Sequence, residues 1–255
     1  MLQRSLLYPI AAWALATACL AEEPSAPVKV ADNAKTAATS NEALATFQRL
    51  SAYLQSNPLD FETTFNATSD GNELYRGAGH FLLRRPNQLR ADLTLGQNTY
   101  VVVSDGTVMT IANPQQKQYS QTNAPATISA AFGFFTGEIG IDSQVLNFLG
   151  VVDAVVSGSD GVKATVSGTE NIGGRQCEKF TVTGSMGDDT WIAWLEKKDT
   201  PLLCKLVYRS VDGPAQTNDF RWTASPTFTA TTFVYTPPEG ANKVDIGTLD
   251  LAAPE

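Results

Sequence analysis

The feature that most constrains this chain is a series of short strand-like runs that begins after Pro58. The runs are rich in Thr, Val, Phe and Tyr, and turn pairs such as Asp70-Gly71, Asp105-Gly106 and Gly173-Gly174 separate them. Regular spacing of such runs with hairpin signals is typical of an antiparallel meander. We predict strands at 61–69, 73–84, 88–95, 98–104, 107–112, 117–121, 163–171, 175–183, 189–196, 202–210, 217–224 and 231–235.

Three segments have helical character. Residues 41–55 carry apolar side chains at helical spacing behind Asn41, a suitable N-cap, while 125–135 and 143–149 interrupt the strand series. One large sheet must cover its apolar face, and these segments are the material available for it. The expected fold is therefore mainly β (α+β), a large curved antiparallel sheet with an N-terminal helix and a middle helical lid at about 125–149. It encloses either a packed core or a cavity.

The first 21 residues have the order of a secretory signal peptide. Arg4 precedes a short apolar stretch, and the small residues Ala16, Thr17 and Ala18 follow it. The apolar stretch is shorter than the roughly 20 residues that a spanning helix needs, so a permanent anchor is the weaker interpretation. We expect a periplasmic protein exported by this signal.

The cleavage position has two interpretations. The sequence Leu-Ala-Thr-Ala-Cys ending at Cys19 resembles a bacterial lipobox, in which the cysteine is lipidated and begins the mature chain. Ordinary cleavage before Cys19 or after Ala21 is the alternative. In the first case the protein is anchored to a membrane by lipid, and in the second it is free to diffuse.

Residues 22–40 are rich in Ala, Pro, Ser and Thr without apolar periodicity, and we interpret them as a flexible linker before a single domain at 41–255. Hydrophobic content of 43% suits one globular domain. The net charge of −8 argues against a nucleic-acid partner, because phosphate binding requires clustered Lys and Arg.

Catalytic and metal-binding patterns are missing from the sequence. His80 is the single histidine and lies in a predicted strand, where an exposed or hydrogen-bonded role explains it. No zinc, nucleophile or phosphate-loop motif occurs. We therefore expect a protein that is not an enzyme and that has no cofactor, no metal site and no catalytic residue.

Cys177 and Cys204 would meet an oxidising compartment, where thiols usually pair. However, they fall on predicted strands that flank a common middle strand, two strand spacings or roughly 9.6 Å apart. A disulfide needs Cα atoms within about 7 Å. The sequence is consistent both with a disulfide between these cysteines and with two free thiols.

Three stretches resemble a known family. They are GAGHFLLRRPNQLRADL at 77–93, VVVSDGTVMTIANPQQKQYSQ at 101–121 and FVYTPPEGANKV at 233–244. Together they resemble the bacterial outer-membrane lipoprotein carrier proteins of the LolA and LolB type. The middle of the chain, with Gly174, Cys177, the run 191–196 and the run 201–207, is similar to the predicted periplasmic proteins of the domain of unknown function 2092 family.

The resemblance implies a half-open β-barrel, capped by helices, whose apolar interior accepts acyl chains. Arg85 matches the carrier arginine that holds the lid closed by bonding to backbone groups of the capping helices; otherwise it is a surface arginine. Leu89 stands where the carriers often have an aromatic lining residue. The further candidate wall residues, each of which could also be plain core, are Phe61, Phe65, Phe81, Leu83, Leu93, Tyr100, Val102, Trp191, Trp194 and Phe220.

Two functions follow from these expectations. The first is a non-enzymatic periplasmic protein that binds or carries a hydrophobic ligand, a lipid or a lipoprotein acyl chain, in the cavity of a half-barrel. The second is a sensor or interaction module of the cell envelope, which uses the same fold without a ligand and has an envelope membrane protein as its partner. A hydrolase would require His80 to lie beside Ser or Asp in a cleft.

Overall fold

The structure is a computed structural model that describes residues 30–134, 144–184 and 189–249. The predicted signal peptide and the candidate lipidation site Cys19 lie outside the described residues.

Within these ranges, twelve strands form one curved, open sheet. Their β-branched and aromatic residues alternate between the two faces of the sheet, as the period of two requires. The strands are β1 Leu59–Ser69, β2 Asn72–Arg84, β3 Gln88–Leu95, β4 Asn98–Ser104, β5 Val108–Asn113, β6 Gln118–Asn123, β7 Lys163–Ile172, β8 Arg175–Thr183, β9 Thr190–Glu196, β10 Leu203–Arg209, β11 Ala215–Trp222 and β12 Asn242–Lys243.

The sheet consists of two antiparallel meanders joined edge to edge. Its order is β12-β6-β5-β4-β3-β2-β1-β11-β10-β9-β8-β7, so β1 pairs with β11 and joins the N-terminal meander to the C-terminal one. All pairs are antiparallel except β12 with β6. The prediction of one large antiparallel sheet is confirmed for the described residues.

Three α-helices accompany the sheet in the described ranges: α1 Val30–Ser56, α2 Ile128–Phe134 and α3 Gln144–Ser157. The linker prediction for 22–40 is wrong from Val30 onward, because that segment is rich in alanine, the best helix former, and continues into the amphipathic helix. Likewise α3 runs past the predicted end at residue 149. Its valines have lower intrinsic helix propensity, and their burial in the core compensates for this.

The main hydrophobic core lies between the concave face of the sheet and the helices. Phe47 and Leu50 of α1, Ile128 of α2 and Phe148 of α3 belong to one buried cluster with the inward side chains of the strands. This arrangement confirms that the helices cover the apolar face of the sheet.

The strand predicted at 231–235 does not form. Residues 229–234 make turns instead, in which Thr232 N donates to Thr229 O and Val234 N to Thr231 O. Phe233 is buried and lies under the guanidinium of Arg84, on the convex face. The Thr, Phe and Val residues of segment 231–235 have strand propensity. However, the segment crosses a face of the sheet instead of extending an edge, so no neighbouring strand is available for pairing.

Candidate functional site

The floor of the concave face is built from side chains that stand in register across neighbouring strands. Phe61 pairs with Phe81, Phe81 with Ala91, and Ala91 with Val102. Because paired residues point to the same side of a sheet, these four form one transverse row. The Phe61 and Phe81 rings are stacked, with centroids 5.0 Å apart.

A second row runs parallel to the first, one pleat further along the strands. It contains Phe220, Thr63, Gly79, Leu93 and Tyr100. A Cβ at Gly79 would lie 2.5 Å from the Phe81 ring, so only glycine leaves room for that ring over β2. The floor is therefore continuous from β11 to β4, and the hydroxyls of Thr63 and Tyr100 are the polar groups in this row.

The structure brings most of the predicted wall residues together on the concave floor. Leu89, Phe81, Leu83, Tyr100, Val102, Trp191, Phe61 and Phe220 are buried there, while Phe65 and Leu93 are half-buried. Their role in ligand binding stays a proposal.

Trp194 is the exception, because it lies on the convex face. It is three residues from Trp191, and a period of two places residues three apart on opposite faces. Lys179 and Lys205 of the neighbouring strands lie over its ring, 5.1 and 5.4 Å from the centroid. The prediction that Trp194 lines the interior is wrong.

Cys177 and Cys204 form a disulfide on the convex face, beside Trp194. Their Cα atoms are 6.6 Å apart, closer than two regular strand spacings. The register between β9 and β10 shifts between Leu203 and Lys205, and β9 ends at Glu196, opposite Cys177. The two regular strand spacings expected between these cysteines therefore do not apply at this end of the sheet.

Arg85 lies in the turn between β2 and β3, at the rim of the floor. Its Nε donates to the Leu54 carbonyl oxygen of α1 at 3.2 Å. The Leu54 carbonyl belongs to the last turn of that helix, where carbonyls have no partner within the helix and the helix dipole favours a cation. The contact joins the C-terminal end of α1 to the sheet.

The same end of α1 is also held to α3. α1 packs against α3 and against β7, the edge strand of the sheet. Ser51 Oγ and Gln55 Nε2 each donate to Asp153 Oδ1 of α3, both at 3.1 Å. The last turns of α1 are therefore held both by α3 and by Arg85.

Aromatic side chains fill the space under α1 and α3. The Phe47 ring centroid is 6.3 Å from that of Phe148 and 5.5 Å from that of Phe180. Phe148 in turn lies 5.6 Å from Trp191, which is 4.7 Å from Tyr208. This half of the interior is a packed core.

Three polar side chains on β1 and β11 face the same interior, and sequence reasoning missed them. Thr63, Gln216 and Asn218 are 2%, 6% and 0% exposed. Gln216 Nε2 donates to Asn218 Oδ1 at 3.1 Å, while Thr63 Oγ1 and Asn218 Nδ2 have no hydrogen-bond partner among the described residues. Thr63 lies two residues from both Phe61 and Phe65 on β1, so the alternation of strand side chains predicts that it shares their face.

His80 lies on the convex face and hydrogen-bonds to Asp60, Nε2 to Oδ1, at 2.9 Å. Its register neighbours are Glu62 on β1 and Asp92 on β3, so a cross-strand interaction with carboxylates explains the histidine. In the described part of the chain, no three His, Cys, Asp or Glu side chains are grouped as metal ligands.

The carboxylate of Asp189, just before β9, has a shifted pKa. The Tyr208 hydroxyl donates to Asp189 Oδ2, and the Val211 N–H donates to its Oδ1 at 3.2 Å. These hydrogen bonds stabilise the ionised form and hold the pKa of Asp189 below its ordinary value. The contact joins the start of β9 to the end of β10.

A polar cleft of about 460 Å³ lies on the convex face. Four of the charged residues that line it form two ion pairs: Arg221 with Glu62 at 3.0 Å, and Arg175 with Glu196 at 3.4 Å. Arg175 also donates to the carbonyl oxygens of Cys204 and Phe220. These contacts are satisfied within the chain and hold neighbouring strands together.

The sequence profile of a family described as predicted periplasmic protein (DUF2092) matches residues 41–247. The chain belongs to this family. The matched range includes the floor strands, Arg85, the disulfide and the buried polar residues, so all of the site described above lies within it.

Solved structures with a similar fold include LprF from Mycobacterium bovis, at 12% identity and a TM-score of 0.48, over 80% of this chain and 99% of that one. An uncharacterized conserved protein from Thermus thermophilus has 11% identity and a TM-score of 0.47, again over 80% and 99%. A LolA superfamily protein from Nitrosomonas europaea has 10% identity and a TM-score of 0.33, over 76% and 97%. These likenesses are too distant to assign a function.

No curated protein matches the chain. In the described ranges, none of the helices combines the length and the apolar character that crossing a bilayer requires.

Proposed function

We propose that this protein is a non-enzymatic periplasmic protein that binds the acyl chain of a lipid or of a lipidated protein between its concave sheet and its helical cover. The observation that carries the proposal is the contact of Arg85 with the C-terminal end of α1. This contact would hold the end of α1 over the apolar floor, next to the hydrogen bonds that Ser51 and Gln55 make to α3.

The floor supplies the free energy of binding. Burying a methylene contributes about 0.8 kcal/mol, so a chain of about twelve methylenes would gain on the order of 10 kcal/mol before entropic costs. The rows that contain Phe61 and Thr63 cross four and five strands, which is a length suited to an extended chain.

The helical cover would control the entry of the ligand to the concave floor. The helices α1 and α3 would move together, with the packing of α1 against β7 as the hinge and the Arg85 to Leu54 hydrogen bond as the latch. A single hydrogen bond at an exposed side chain contributes little free energy, so opening at the latch costs far less than unfolding. The aromatic cluster under α1 and α3 would stay packed, and the ligand would occupy the side formed by β1 to β4.

A second candidate function is a sensor or interaction module of the cell envelope, with a membrane protein as its partner. The aromatic packing of Phe47, Phe148, Phe180 and Trp191 favours it, since an interior that is filled throughout has no room for an acyl chain.

The two candidates differ in ligand binding, which a titration with a fluorescent long-chain acyl probe measures. The matched variants are Ala91→Leu, in the middle of the concave floor, and Ala78→Leu, which faces outward on the adjacent strand. Under the carrier proposal the wild type binds the probe, Ala91→Leu weakens binding about tenfold or more because it fills the floor, and Ala78→Leu leaves it unchanged. Thermal melts of all three proteins identify any effect of misfolding.

Two results contradict the carrier proposal. The first is a wild type that binds no probe up to its solubility limit, which favours the interaction module. The second is probe binding that Ala78→Leu weakens as much as Ala91→Leu, because the probe would then sit on the convex surface.

A further inference from the structure

Thr63 and Asn218 form a small polar site in the middle of the apolar floor. Asn218 pairs with Phe65 on β1, so Thr63 and Asn218 are diagonal neighbours on one face, within reach of a common group. Their inward neighbours Phe61, Phe65, Phe220 and Leu206 are apolar.

The hydrogen-bonding capacity of this site is partly used within the chain. Asn218 Oδ1 accepts from Gln216 Nε2, which fixes the amide orientation and directs Nδ2 elsewhere. Nδ2 and Thr63 Oγ1 are buried and have no partner in the part of the chain that the structure describes. A buried donor without a partner is costly, so two of them side by side indicate a partner from outside the chain.

The charge around the site restricts what that partner is. Side chains alternate along each strand, and the charged residues near the site, Glu62, Asp219, Arg221, Lys205 and His80, all stand at the outward positions. The inward positions of the same strands carry no charge. They are Phe61, Thr63 and Phe65 on β1, Gly77, Gly79, Phe81 and Leu83 on β2, Leu206 and Tyr208 on β10, and Gln216, Asn218, Phe220 and Trp222 on β11. An ionised carboxylate or phosphate there would be desolvated without a cation.

We infer that Thr63 and Asn218 bind a neutral carbonyl oxygen of the ligand, the ester or amide carbonyl of an acylated amphiphile. The inference rests on the proposed function and adds the ligand class to it. Asn218 Nδ2 and the Thr63 hydroxyl both donate to this oxygen, and the acyl chain extends along the apolar rows on either side. The site thereby prefers esters and amides to free fatty-acid anions.

The test measures displacement of the fluorescent probe by three competitors delivered on cyclodextrin: methyl palmitate, sodium palmitate at pH 8, and the hydrocarbon heptadecane. Wild type is expected to bind methyl palmitate more tightly than the other two. Thr63→Val removes the hydroxyl with little change of shape, and it should lower the preference for the ester over the hydrocarbon about fivefold, as the loss of one hydrogen bond predicts.

Two variants serve as controls and one as a second test. Thr63→Ser keeps the hydroxyl and should keep the preference, and Thr64→Val, at the outward position of the same strand, should not change it. Asn218→Leu tests the second donor, although it also removes the acceptor of Gln216. If it folds poorly, Thr63→Val decides alone.

Three outcomes overturn the inference. If Thr63→Val leaves the ester preference unchanged, water satisfies these groups and the carbonyl does not. If palmitate at pH 8 binds as tightly as its methyl ester, the neutral-ligand argument fails while the proposed function stands. If no competitor displaces the probe, or the probe itself does not bind, the proposed function fails together with the inference.

Discussion

Replacing Arg85 by leucine should open the helical cover at the end of α1 and leave the rest of the fold intact. In the structure Arg85 Nε donates to Leu54 O at 3.2 Å. A hydrogen bond from a charged donor contributes about 1.5–3 kcal/mol when shielded, but Arg85 is exposed and water competes, so we take about 1 kcal/mol. That free energy corresponds to an increase of about fivefold in the open population.

Hydrogen exchange of the α1 amides reports this opening directly, because local opening exposes them without global unfolding. In Arg85→Leu, protection over the last turns of α1 should fall about fivefold, and association of the acyl probe should accelerate by a similar factor. Arg76→Leu is the matched control, since Arg76 lies on β2, the strand that precedes Arg85, is exposed and pairs with Glu73 away from the helix. Unchanged protection of α1 in Arg85→Leu, or an equal loss in Arg76→Leu, would refute the latch.

Three further results are expected. Joint replacement of Cys177 and Cys204 by alanine should lower the free energy of unfolding in urea by about 3.5 kcal/mol, the value for a separation of 27 residues; the same stability with and without the cysteines would contradict the disulfide. Tyr208→Phe should lower the free energy of unfolding at pH 7 by no more than about 1 kcal/mol, because water screens this partly exposed hydrogen bond. Asp189 has a lowered pKa in the folded protein, so its contribution to stability is present above its unfolded pKa and is lost as the pH falls through its folded pKa. The difference between Tyr208→Phe and wild type should therefore vanish at low pH, and a difference that does not depend on pH would refute the assignment. Phe61→Ala should cost about 3–5 kcal/mol, since the ring is buried among Phe81, Phe220 and Trp222, whereas Leu74→Ala, at an exposed position, should change stability by less than about 0.5 kcal/mol.

Strand and turn chemistry predicted the sheet well because those signals are local. The hairpin pairs Asp70-Gly71 and Gly173-Gly174 lie between paired antiparallel strands, and both glycines of the second pair have positive φ. The wrong strand at 231–235 shows the limit of such signals: Phe233 has strand propensity, but its environment is the convex face beside Arg84, which tertiary packing determines.

Long-range geometry decided the parts of the site that the sequence left open. The proximity of Cys177 and Cys204 depends on the register shift in β10 and on the end of β9, neither of which has a sequence signature. By contrast, the period of two along each strand is enough to predict which side chains face the interior, and it places Trp191 and Trp194 on opposite faces of the sheet. That Thr63 and Asn218 are neighbours depends on the pairing of β1 with β11, strands more than 140 residues apart in sequence.

The most direct test of ligand binding is native mass spectrometry of the protein purified under mild conditions from its own host. We expect a population whose mass exceeds that of the mature chain by one acylated species, which organic extraction removes and which ester or amide analysis identifies. The bare mature mass alone, with no acyl species in the extract and no uptake of the acyl probe by the same sample, would contradict it.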